Sequence, residues 1–461
     1  MDSNNSQVDL TPDPRVLVAL THTPLKPIDA LCELIDNALD SFDVAEKRGS
    51  PVKKPMVIVD LPTAGEARKG LGVVKIRDNG PGLKSEEAER ALRAGFSGNN
   101  RYDRLGLFGM GFNIATGKIG RVTRFVSACK DDDHAIEVCI DLPAMQERGH
   151  YRVPVNTIPK PVGMDHGTLI EVSSWWPEGN PNSGFAINLA GNQAEYTKPK
   201  VREQVGRRYA AYLRRKDVRI ILNDEPCEPF NHCAWDASRS IERRGIGSVP
   251  ARFSFDEVIT NQTRCTECDT QILKGLACPN TDCGSSSTRT IQERIRGWVG
   301  IKRFDDQNHF GIDLIRNGRS IRILERDAFF SFINELGERV LDYPIDSQYG
   351  RIIGEVELNH VPVDFMKQDF QRTSPEWARA MKFLRGESSL QPRQPGADQN
   401  TSPLFKLYQG YRRVRTPGRA DMYMGQWDSA LAKPVRISRE KEKELYKRFL
   451  KCDPGYFDDA E

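Results

Sequence analysis

The sequence lacks long apolar runs, a strong net charge and a dense set of cysteines. None of the apolar stretches in its 461 residues approaches the length of a membrane-spanning helix, so no membrane partner is expected. The stretch from Met1 to Pro14 has neither the basic nor the apolar region of a signal peptide, which predicts a cytoplasmic protein. The net charge of +3 points neither toward nucleic acid nor away from it.

Ten cysteines in a chain of this length, only four of them clustered, argue against a disulfide framework. The sequence also has no recognisable catalytic triad and no nuclease-like cluster of carboxylates. Its length is sufficient for two or three domains with hydrophobic cores. These absences leave three glycine- and carboxylate-bearing segments near the N-terminus as the main signal.

The first segment is a predicted helix that begins near Pro27. Its buried stripe is formed by residues that recur at helical spacing: Ile28, Leu31, Ile35, Ala38, Leu39 and Phe42. Glu33 and Asn37, four residues apart, then share the opposite face. A carboxylate beside an amide suits a binding or catalytic site. The alternative is a surface helix whose polar face is only solvated.

The second segment is a predicted strand with a turn at its end. Val73–Arg77 alternates as a strand does, and Asp78 is followed by Gly80 and Gly82. An Asp held at a strand end can accept a hydrogen bond from an exocyclic amine such as that of adenine. A simple type I or II turn at Asn-Gly-Pro-Gly is the alternative.

The third segment is a glycine-rich loop that leads into a predicted helix. Its glycines and the residues that follow them are Gly98, Gly106, Gly109, Met110, Gly111 and Phe112. Backbone N–H groups and the dipole of a helix N-terminus can hold phosphates. The spacing matches neither the lysine-bearing P-loop nor the dinucleotide fingerprint.

Together with Asp165-His166-Gly167-Thr168 ahead of a strand at Leu169–Val172, these segments resemble the Bergerat-fold (GHKL) ATPases. That superfamily includes gyrase, the ninety-kilodalton heat-shock chaperones, histidine kinases and MutL. The resemblance implies an α+β protein: a Bergerat-fold α/β sandwich followed by a transducer domain of the ribosomal S5-like type. No phosphoacceptor-histidine helix pair precedes the segments, which disfavours a histidine kinase.

The resemblance also implies a role for each motif residue. Glu33 is the general base that activates water, Asn37 ligates Mg²⁺, and Asp78, assisted by Thr168, binds the adenine amine. The remaining nucleotide-binding positions are Gly80, Gly82, Gly106, Gly109, Met110, Gly111 and Phe112. ATP and Mg²⁺ are therefore the expected ligands, and hydrolysis of ATP to ADP and phosphate is the expected reaction.

A later segment indicates which family within this superfamily the chain resembles most. The run Val363–Phe370 contains Lys-Gln-Asp-Phe, and with Gly95-Phe96-Ser97 and Ile315–Arg319 it is most similar to the microrchidia (MORC) ATPases. This similarity extends over about residues 15–385 and implies that Lys367 senses the γ-phosphate. An exposed loop lysine is the alternative. The resemblance suggests a prokaryotic MORC-like protein. Bacterial relatives of that family are associated with restriction-like and phage-defence systems, so the resemblance also implies a role in defence.

The chain is predicted to contain several regions. They are an N-terminal arm at 1–20, the ATP-binding domain at 21–185, the transducer at 190–385, a Pro-, Gln- and Ser-rich linker at 386–403 and a helical extension at 404–461. Within the transducer the sequence predicts a basic helix at Lys198–Lys216. Strands are predicted at Val218–Asn223, Gly297–Lys302, Ile312–Ile315 and Ile352–Leu358.

Four cysteines lie inside the predicted transducer, with two, nine and four residues between successive members: Cys265, Cys268, Cys278 and Cys283. Paired cysteines on two knuckles can present four thiolates to a structural Zn²⁺, as a zinc-ribbon-like insertion at about 260–288. The last spacing is looser than in a usual ribbon, so two pairs of free thiols are the alternative. His166 is interpreted as a loop residue.

Two basic clusters could neutralise DNA phosphates. The first contains Arg207, Arg208, Arg214, Arg215, Lys216 and Arg219, and the second contains Arg412, Arg413, Arg415 and Arg419 with Tyr408 and Tyr411 interleaved. Solvated faces or contacts to acidic proteins are the alternatives.

The combined prediction is an ATP-gated clamp that closes as a homodimer on DNA or on a DNA-processing complex. The arm at 1–20 would cross to the second subunit, and a nuclease or helicase could be a partner protein. Two other functions remain open. One is a chaperone of the heat-shock type, and the other is an interaction module that binds ATP without turning it over.

Overall fold

The computed structural model describes residues 13–93, 109–243, 245, 247–273, 276–306, 309–334, 336–343, 350–411, 425–428, 430, 433–436, 438–451 and 453. The chain divides into two compact units, Met1–Phe230 and Asn231–Glu461. No helix in the described part has both the length and the apolar character that crossing a lipid bilayer requires.

The first unit is a large sheet with helices packed on it. Its described helices are α1 (Arg15–Leu20), α2 (Pro27–Lys47), α3 (Ala64–Arg68), α4 (Ser85–Leu92), α5 (Gly111–Ile119), α6 (Leu142–Arg148), α7 (Phe185–Ile187), α8 (Lys198–Arg208) and α9 (Ala210–Arg215). Its described strands are β1 (Met56–Asp60), β2 (Val74–Asp78), β3 (Val122–Ala128), β4 (His134–Asp141), β5 (Val155–Pro159), β6 (Gly167–Ser173), β7 (Arg219–Leu222) and β8 (Glu225–Pro226). The strand order is β5-β4-β3-β6-β2-β1-β7-β8.

The two faces of this sheet carry different cores. On one face, α2 and α5 cover the sheet, and Phe112 of α5 packs edge-on against Phe125 of β3 with ring centroids 6.2 Å apart. On the other face, Val126 of β3 packs with Met164 in a smaller apolar cluster. Alternation along β3 sends Phe125 and Val126 to opposite faces. This mixed arrangement confirms the predicted α+β class.

Part of the predicted N-terminal arm is folded onto its own unit. Leu17 of α1 packs with Leu142 and Met145 of α6. The Tyr151 hydroxyl donates a hydrogen bond of 2.7 Å to the Asp13 carbonyl. Residues 1–12 lie outside the described part of the chain. From residue 13 to residue 20, therefore, the segment packs on its own unit, and the crossing of the arm to a second subunit stays a prediction.

The border between the units lies later than the predicted border at 185–190. β7, predicted as the first strand of the second domain, pairs in parallel with β1. The predicted helix at Lys198–Lys216 is two helices, α8 and α9, separated by Tyr209. The Tyr209 hydroxyl donates to Asp36 of α2 at 2.8 Å. Residues 190–230 thus belong to the first unit, since they pack on α2 and extend its sheet.

The second unit contains a smaller sheet built on a long hairpin. Its described strands are β9 (Ser240–Arg243), β10 (Gly247–Pro250), β11 (Arg252–Cys265), β12 (Gln271–Ile272), β13 (Thr288–Asp306), β14 (Gly311–Arg316), β15 (Arg319–Glu325), β16 (Ser331–Ile333), β17 (Arg339–Leu341), β18 (Gly350–Glu357), β19 (Gly425–Asp428) and β20 (Lys433–Arg436). Its described helices are α10 (Asp327–Phe330), α11 (Pro375–Arg385), α12 (Pro403–Tyr411) and α13 (Arg439–Leu450). The strand order of the main sheet is β12-β11-β13-β18-β14-β15.

The segment 386–403, predicted as a linker, is packed into this unit. Leu390 and Ala397 are fully buried. The Asp342 carboxylate accepts hydrogen bonds from the Ser389 hydroxyl at 2.5 Å and from the Leu390 N–H at 3.0 Å. Composition alone suggested a flexible connection, but apolar side chains within the polar stretch provide enough burial to hold it in place.

Candidate nucleotide-binding site

One face of α2 carries a row of polar side chains. Pro27 is the first residue of the helix, as predicted, because its missing N–H is not needed there. Glu33, Asn37 and Ser41 follow at intervals of four residues, which places them along one side of the helix. Glu33 is only 6% exposed, whereas Asn37 is exposed and Ser41 is half-buried. Ser41 was not among the predicted residues, although the same spacing could have indicated it.

Glu33 lies against the first residue of α5. A Cβ atom built on Gly111 would overlap the Glu33 carboxylate oxygen Oε2. Glycine at position 111 therefore lets the carboxylate approach the backbone at the start of the helix. Two segments far apart in the sequence, the Glu33 helix and the glycine-rich loop, meet at this point.

The N-terminus of α5 is open at its backbone. Gly109 has a left-handed φ of 64°, and Met110, the residue before the helix, makes no side-chain capping hydrogen bond. N–H groups at such an end, reinforced by the helix dipole, can bind an anion. Asn113 donates to the Leu92 carbonyl at 3.0 Å, which joins the first turn of α5 to the end of α4. The predicted positions Gly95–Gly98 and Gly106 lie outside the described residues.

Asp78 is the last residue of β2 and is almost fully buried. Its carboxylate oxygen Oδ1 accepts a hydrogen bond of 2.7 Å from the Gly80 N–H. Burial raises the pKa of Asp78 to about 7, against the opposing effects of the Gly80 and Thr168 N–H groups and the charge of His166. A further hydrogen-bond donor, such as one on a ligand, would stabilise the ionised form of this carboxyl.

Thr168 lies directly beside Asp78. Strand β6 pairs antiparallel with β2, and Thr168 is the register partner of Asp78. Ser127 of β3 pairs with Thr168 in turn, and its hydroxyl accepts from the Leu83 N–H at 2.8 Å. The structure therefore brings the second motif and the Gly-Thr element together at one edge of three neighbouring strands.

Close contacts around Gly80 and Gly82 leave no room for a larger residue at either position. A Cβ on Gly80 would collide with the Ser41 hydroxyl of α2 and with the Asp78 carboxylate. Gly82 has a left-handed φ of 74°, and a Cβ there would overlap the Ala128 carbonyl. The turn after Asp78 is consequently pressed against both α2 and the end of β3.

His166 has a contact that the sequence did not predict. Its Nδ1 donates a hydrogen bond of 2.7 Å to the Gly80 carbonyl. Gly80 also donates its N–H to Asp78, so His166 holds the turn that orients the carboxylate. The histidine directly precedes the Gly-Thr element, but nothing in its neighbours indicated a partner 86 residues earlier.

These contacts define two ends of one region along α2. Glu33 and Gly111 lie at one end, and Ser41, Asp78 and Gly80 lie at the other. Eight residues of helix separate Glu33 from Ser41, a distance of about 12 Å along the axis. Asn37 lies between them. The arrangement suits an extended ligand with a hydrogen-bonding base at one end and phosphates at the other.

A cavity of about 170 Å³ adjoins the Asp78 turn. Asp78 and His166 line it, together with Ile58 and Arg77, which are register partners on the face of the sheet opposite to Val57. Glu33, Asn37, Gly111 and Thr168 do not line this cavity, so it takes in only the Asp78 end of the site.

Comparison with known proteins agrees with this geometry. Residues 25–168 match the model of the family described as histidine kinase-, DNA gyrase B-, and HSP90-like ATPase. These residues are thus similar to a GHKL-type ATPase domain. The matched stretch contains Glu33, Asn37 and Asp78 and ends at Thr168. ATP binding is thus supported by sequence similarity as well as by the arrangement of the side chains.

A weaker similarity concerns a plant protein. The chain is 27% identical over 107 residues to "Protein MICRORCHIDIA 4" of Arabidopsis thaliana. The aligned region is 23% of this chain and 12% of that protein, so the chain spans a small part of that relative's length. This similarity supports a relationship between the GHKL-type domain and the microrchidia proteins.

Lys367 lies in the second unit, in a tight turn between Asp364 and Asp369. It is 6% exposed and has a left-handed φ of 51°, which few residues other than glycine adopt. The Asp364 carboxylate accepts from the Gln368 N–H at 2.8 Å and from the Asp369 N–H at 3.1 Å. The alternative of an exposed loop lysine does not match this burial. Its predicted role toward the γ-phosphate stays a prediction.

The four clustered cysteines converge at the end of the β11–β13 hairpin. Their Sγ atoms all lie within 4.8 Å of one another, with 3.6 Å from Cys265 to Cys283 and 3.4 Å from Cys268 to Cys278. Zinc–sulfur bonds of about 2.3 Å in a tetrahedron would separate the sulfurs by about 3.8 Å. A hydrogen bond with Thr270 lowers the pKa of Cys268 to about 6, whereas burial raises the pKa of Cys278 to about 12. The donor set is compatible with zinc.

Several side chains of the first predicted basic cluster bind residues of their own unit. Arg208 binds Asp29 at 3.1 Å, and Lys216 binds both Glu46 and, at 3.6 Å, Asp43. The Arg207 guanidinium stacks on Phe230 at 4.1 Å. Three members of the cluster are exposed: Arg214, Arg215 and Arg219. The second basic cluster begins at Arg412, outside the described residues.

Proposed function

We propose that this chain is a microrchidia-type ATPase that binds and hydrolyses ATP with Mg²⁺ and uses the cycle to close as a homodimeric clamp. The observation that carries this proposal is the approach of the Glu33 carboxylate to Gly111 at the N-terminus of α5. A general base and a phosphate-binding helix end are what hydrolysis of a terminal phosphate needs close together.

The proposed roles of the residues combine their positions with the motif resemblance. Asp78 and Thr168 bind the adenine, and His166 keeps the Asp78 turn in place. The open N-terminus of α5 and the glycine-rich loop bind the phosphates. Asn37 offers its amide oxygen to Mg²⁺, which would neutralise phosphate charge during the reaction. Glu33 orients and deprotonates the attacking water, and Lys367 senses the γ-phosphate.

The clamp would act on DNA or on a DNA-processing complex. The described side chains of the first cluster that are exposed, and that phosphates could therefore reach, are Arg214, Arg215 and Arg219. Arg214 also donates to the Phe230 carbonyl at 2.8 Å. A nuclease or helicase partner and a prokaryotic phage-defence role rest on the motif resemblance alone, since the relative found by comparison is a plant protein. The zinc site would be structural, because four protein thiolates fill its coordination sphere.

ATP turnover measured alone, with duplex DNA and with an unfolded client protein tests this function. A clamp on DNA predicts that duplex DNA raises the rate and that the client does not. The variant Arg214→Ala/Arg215→Ala/Arg219→Ala should lose the stimulation and keep the basal rate. Stimulation by the client alone would indicate a chaperone, and no turnover under any condition would indicate a module that only binds ATP.

A further inference from the structure

The base of the four-cysteine cluster is a network of half-buried charged side chains. Arg264 directly precedes Cys265 and donates to the Asp269 carbonyl at 3.1 Å. Asp269 directly follows Cys268, and its carboxylate also binds Arg289 at 2.6 Å. The position of Arg264 thus depends on where the loop that carries the cysteines lies.

Arg264 also reaches the helix α11. Its Nη2 donates to the Glu376 carboxylate at 3.0 Å, and Glu376 is only 6% exposed. A second contact runs parallel to the first: Arg379 of α11 binds the buried Glu293 of β13 through two hydrogen bonds of 2.7 and 2.5 Å. Charge-assisted hydrogen bonds at buried positions are among the stronger polar contacts in proteins. The hairpin and α11 are therefore tied together beside the cysteine cluster.

Helix α11 in turn adjoins the turn that contains Lys367. Ser374, which precedes the helix, accepts a capping hydrogen bond of 3.2 Å from the Trp377 N–H. The Trp377 ring stacks on Phe370 with centroids 6.0 Å apart. The Arg372 guanidinium lies 5.5 Å from the same ring. The first turn of α11 therefore packs directly on the residues that close the Lys367 turn.

The Lys367 turn has an intrinsic reason to need such support. A left-handed conformation at a lysine is strained relative to the usual backbone regions. Within the turn it is the Asp364 carboxylate that offsets this cost, by accepting two backbone N–H groups. A displacement of α11 would remove the packing that holds Phe370 and Arg372 in place.

We propose that Arg264 and Glu376 are positioning residues for Lys367, and that metal binding by the four cysteines sets their position. The bound metal holds Cys265 and Cys268 together and thereby keeps Arg264 between Asp269 and Glu376. Loss of the metal releases Arg264, loosens the first turn of α11 and frees the Lys367 turn. The functional consequence rests on the proposed role of Lys367 in sensing the γ-phosphate.

Hydrogen exchange of the full chain tests this coupling without relying on activity. Peptides covering residues 361–372 are followed with Zn²⁺ bound and after removal of Zn²⁺ by a chelator. We expect exchange there to be faster by about tenfold after removal, the size of effect that loss of one charged hydrogen bond would cause. Unchanged exchange in these peptides would overturn the proposal.

A second variant keeps the test valid if metal removal unfolds the second unit. Glu376→Gln retains the cysteines and should bind Zn²⁺ normally, yet it should speed exchange at 361–372. The matched control is Asp256→Asn, which weakens the ion pairs of Asp256 with Arg294 and Arg296 on the same hairpin. Asp256 lies on the strand face opposite to Phe255, the residue that packs on Phe383 of α11. Equal exchange in the two variants would contradict the positioning role.

The proposed coupling and the proposed role of Lys367 toward the γ-phosphate can be disproved independently of each other. If Lys367→Ala leaves ATP turnover unchanged while exchange at 361–372 responds to Zn²⁺, the γ-phosphate role is wrong and the coupling stands. If Lys367→Ala abolishes turnover while exchange ignores both Zn²⁺ and Glu376→Gln, the coupling is wrong and the γ-phosphate role stands.

Discussion

At the scale of single residues, Gly82 and Gly163 have the same backbone conformation but different surroundings. Both have a φ of 74°, yet a Cβ on Gly82 would overlap the Ala128 carbonyl whereas one on Gly163 would come no closer than 4.0 Å to Arg77. Strain from the left-handed conformation should cost each alanine variant about 1 kcal/mol. The additional overlap predicts a larger loss of stability for the alanine variant at Gly82 than for the one at Gly163.

We therefore expect Gly163→Ala to lower the free energy of unfolding of the first unit by about 1 kcal/mol and Gly82→Ala by at least about 3 kcal/mol. Urea unfolding followed by a signal from the first unit measures both. Gly82→Ala should also weaken ATP binding, because the shifted turn carries Asp78. Equal losses of stability would show that the Asp78 turn does not press against β3.

The pKa of Asp78 predicts how ATP affinity depends on pH. Because that pKa is raised to about 7, the carboxyl is increasingly protonated below neutral pH and becomes a poorer acceptor for an adenine amine. Affinity should be constant above about pH 8 and fall by about tenfold for each unit below about pH 6. Calorimetric titrations of ATP measure it. Asp78→Asn should lose this dependence and the exposed Asp165→Asn should keep it, whereas equal profiles in all three proteins would exclude Asp78 as the cause.

Some site residues were predictable and others were not, for a physical reason. Glu33 and Asn37 follow from helical spacing, and Asp78 follows from a strand end before glycines, since these are local features. The contact of His166 with Gly80 depends on which strands pair, and the buried state of Lys367 depends on packing. The residues next to His166 and Lys367 in the sequence indicate neither of these two features.

At the scale of secondary-structure elements, periodicity identified α2 and β2 correctly. It did not show that β7 joins the sheet of the first unit, because the register with β1 spans more than 160 residues. The polar composition of 386–403 was also misleading. A few apolar residues such as Leu390 suffice to pack a segment that average composition marks as a linker.

Helix α1 provides a test at this scale. Leu17 is 7% exposed against α6, whereas the adjacent Val16 is 42% exposed. Leu17→Ala should lower the free energy of unfolding of the first unit by about 2–3 kcal/mol, and Val16→Ala by no more than about 0.5 kcal/mol. Thermal unfolding at low protein concentration measures both. A normal stability for Leu17→Ala combined with weaker dimers would mean that α1 packs on a second subunit instead.

At the scale of the whole molecule, the sequence predicted two principal domains, and the structure contains two compact units. The predicted domain border, however, fell about 40 residues too early, because helices and a strand after residue 190 complete the first unit. The candidate ATP site belongs to that unit, while Lys367 and the cysteine cluster belong to the second. ATP hydrolysis would then set how long a closed state lasts, since nucleotide can drive closure only by binding the closed state better.

The most direct measurement of the central claim is the ATP turnover rate of Glu33→Ala beside wild type, with ATP binding measured on the same samples. Loss of a general base predicts a rate lower by about a hundredfold or more, with ATP still bound. Glu46→Ala, a change of an exposed carboxylate on the same helix, should turn over ATP as wild type does. If Glu33→Ala hydrolyses ATP as fast as wild type, Glu33 is not the base and the account of the site is wrong.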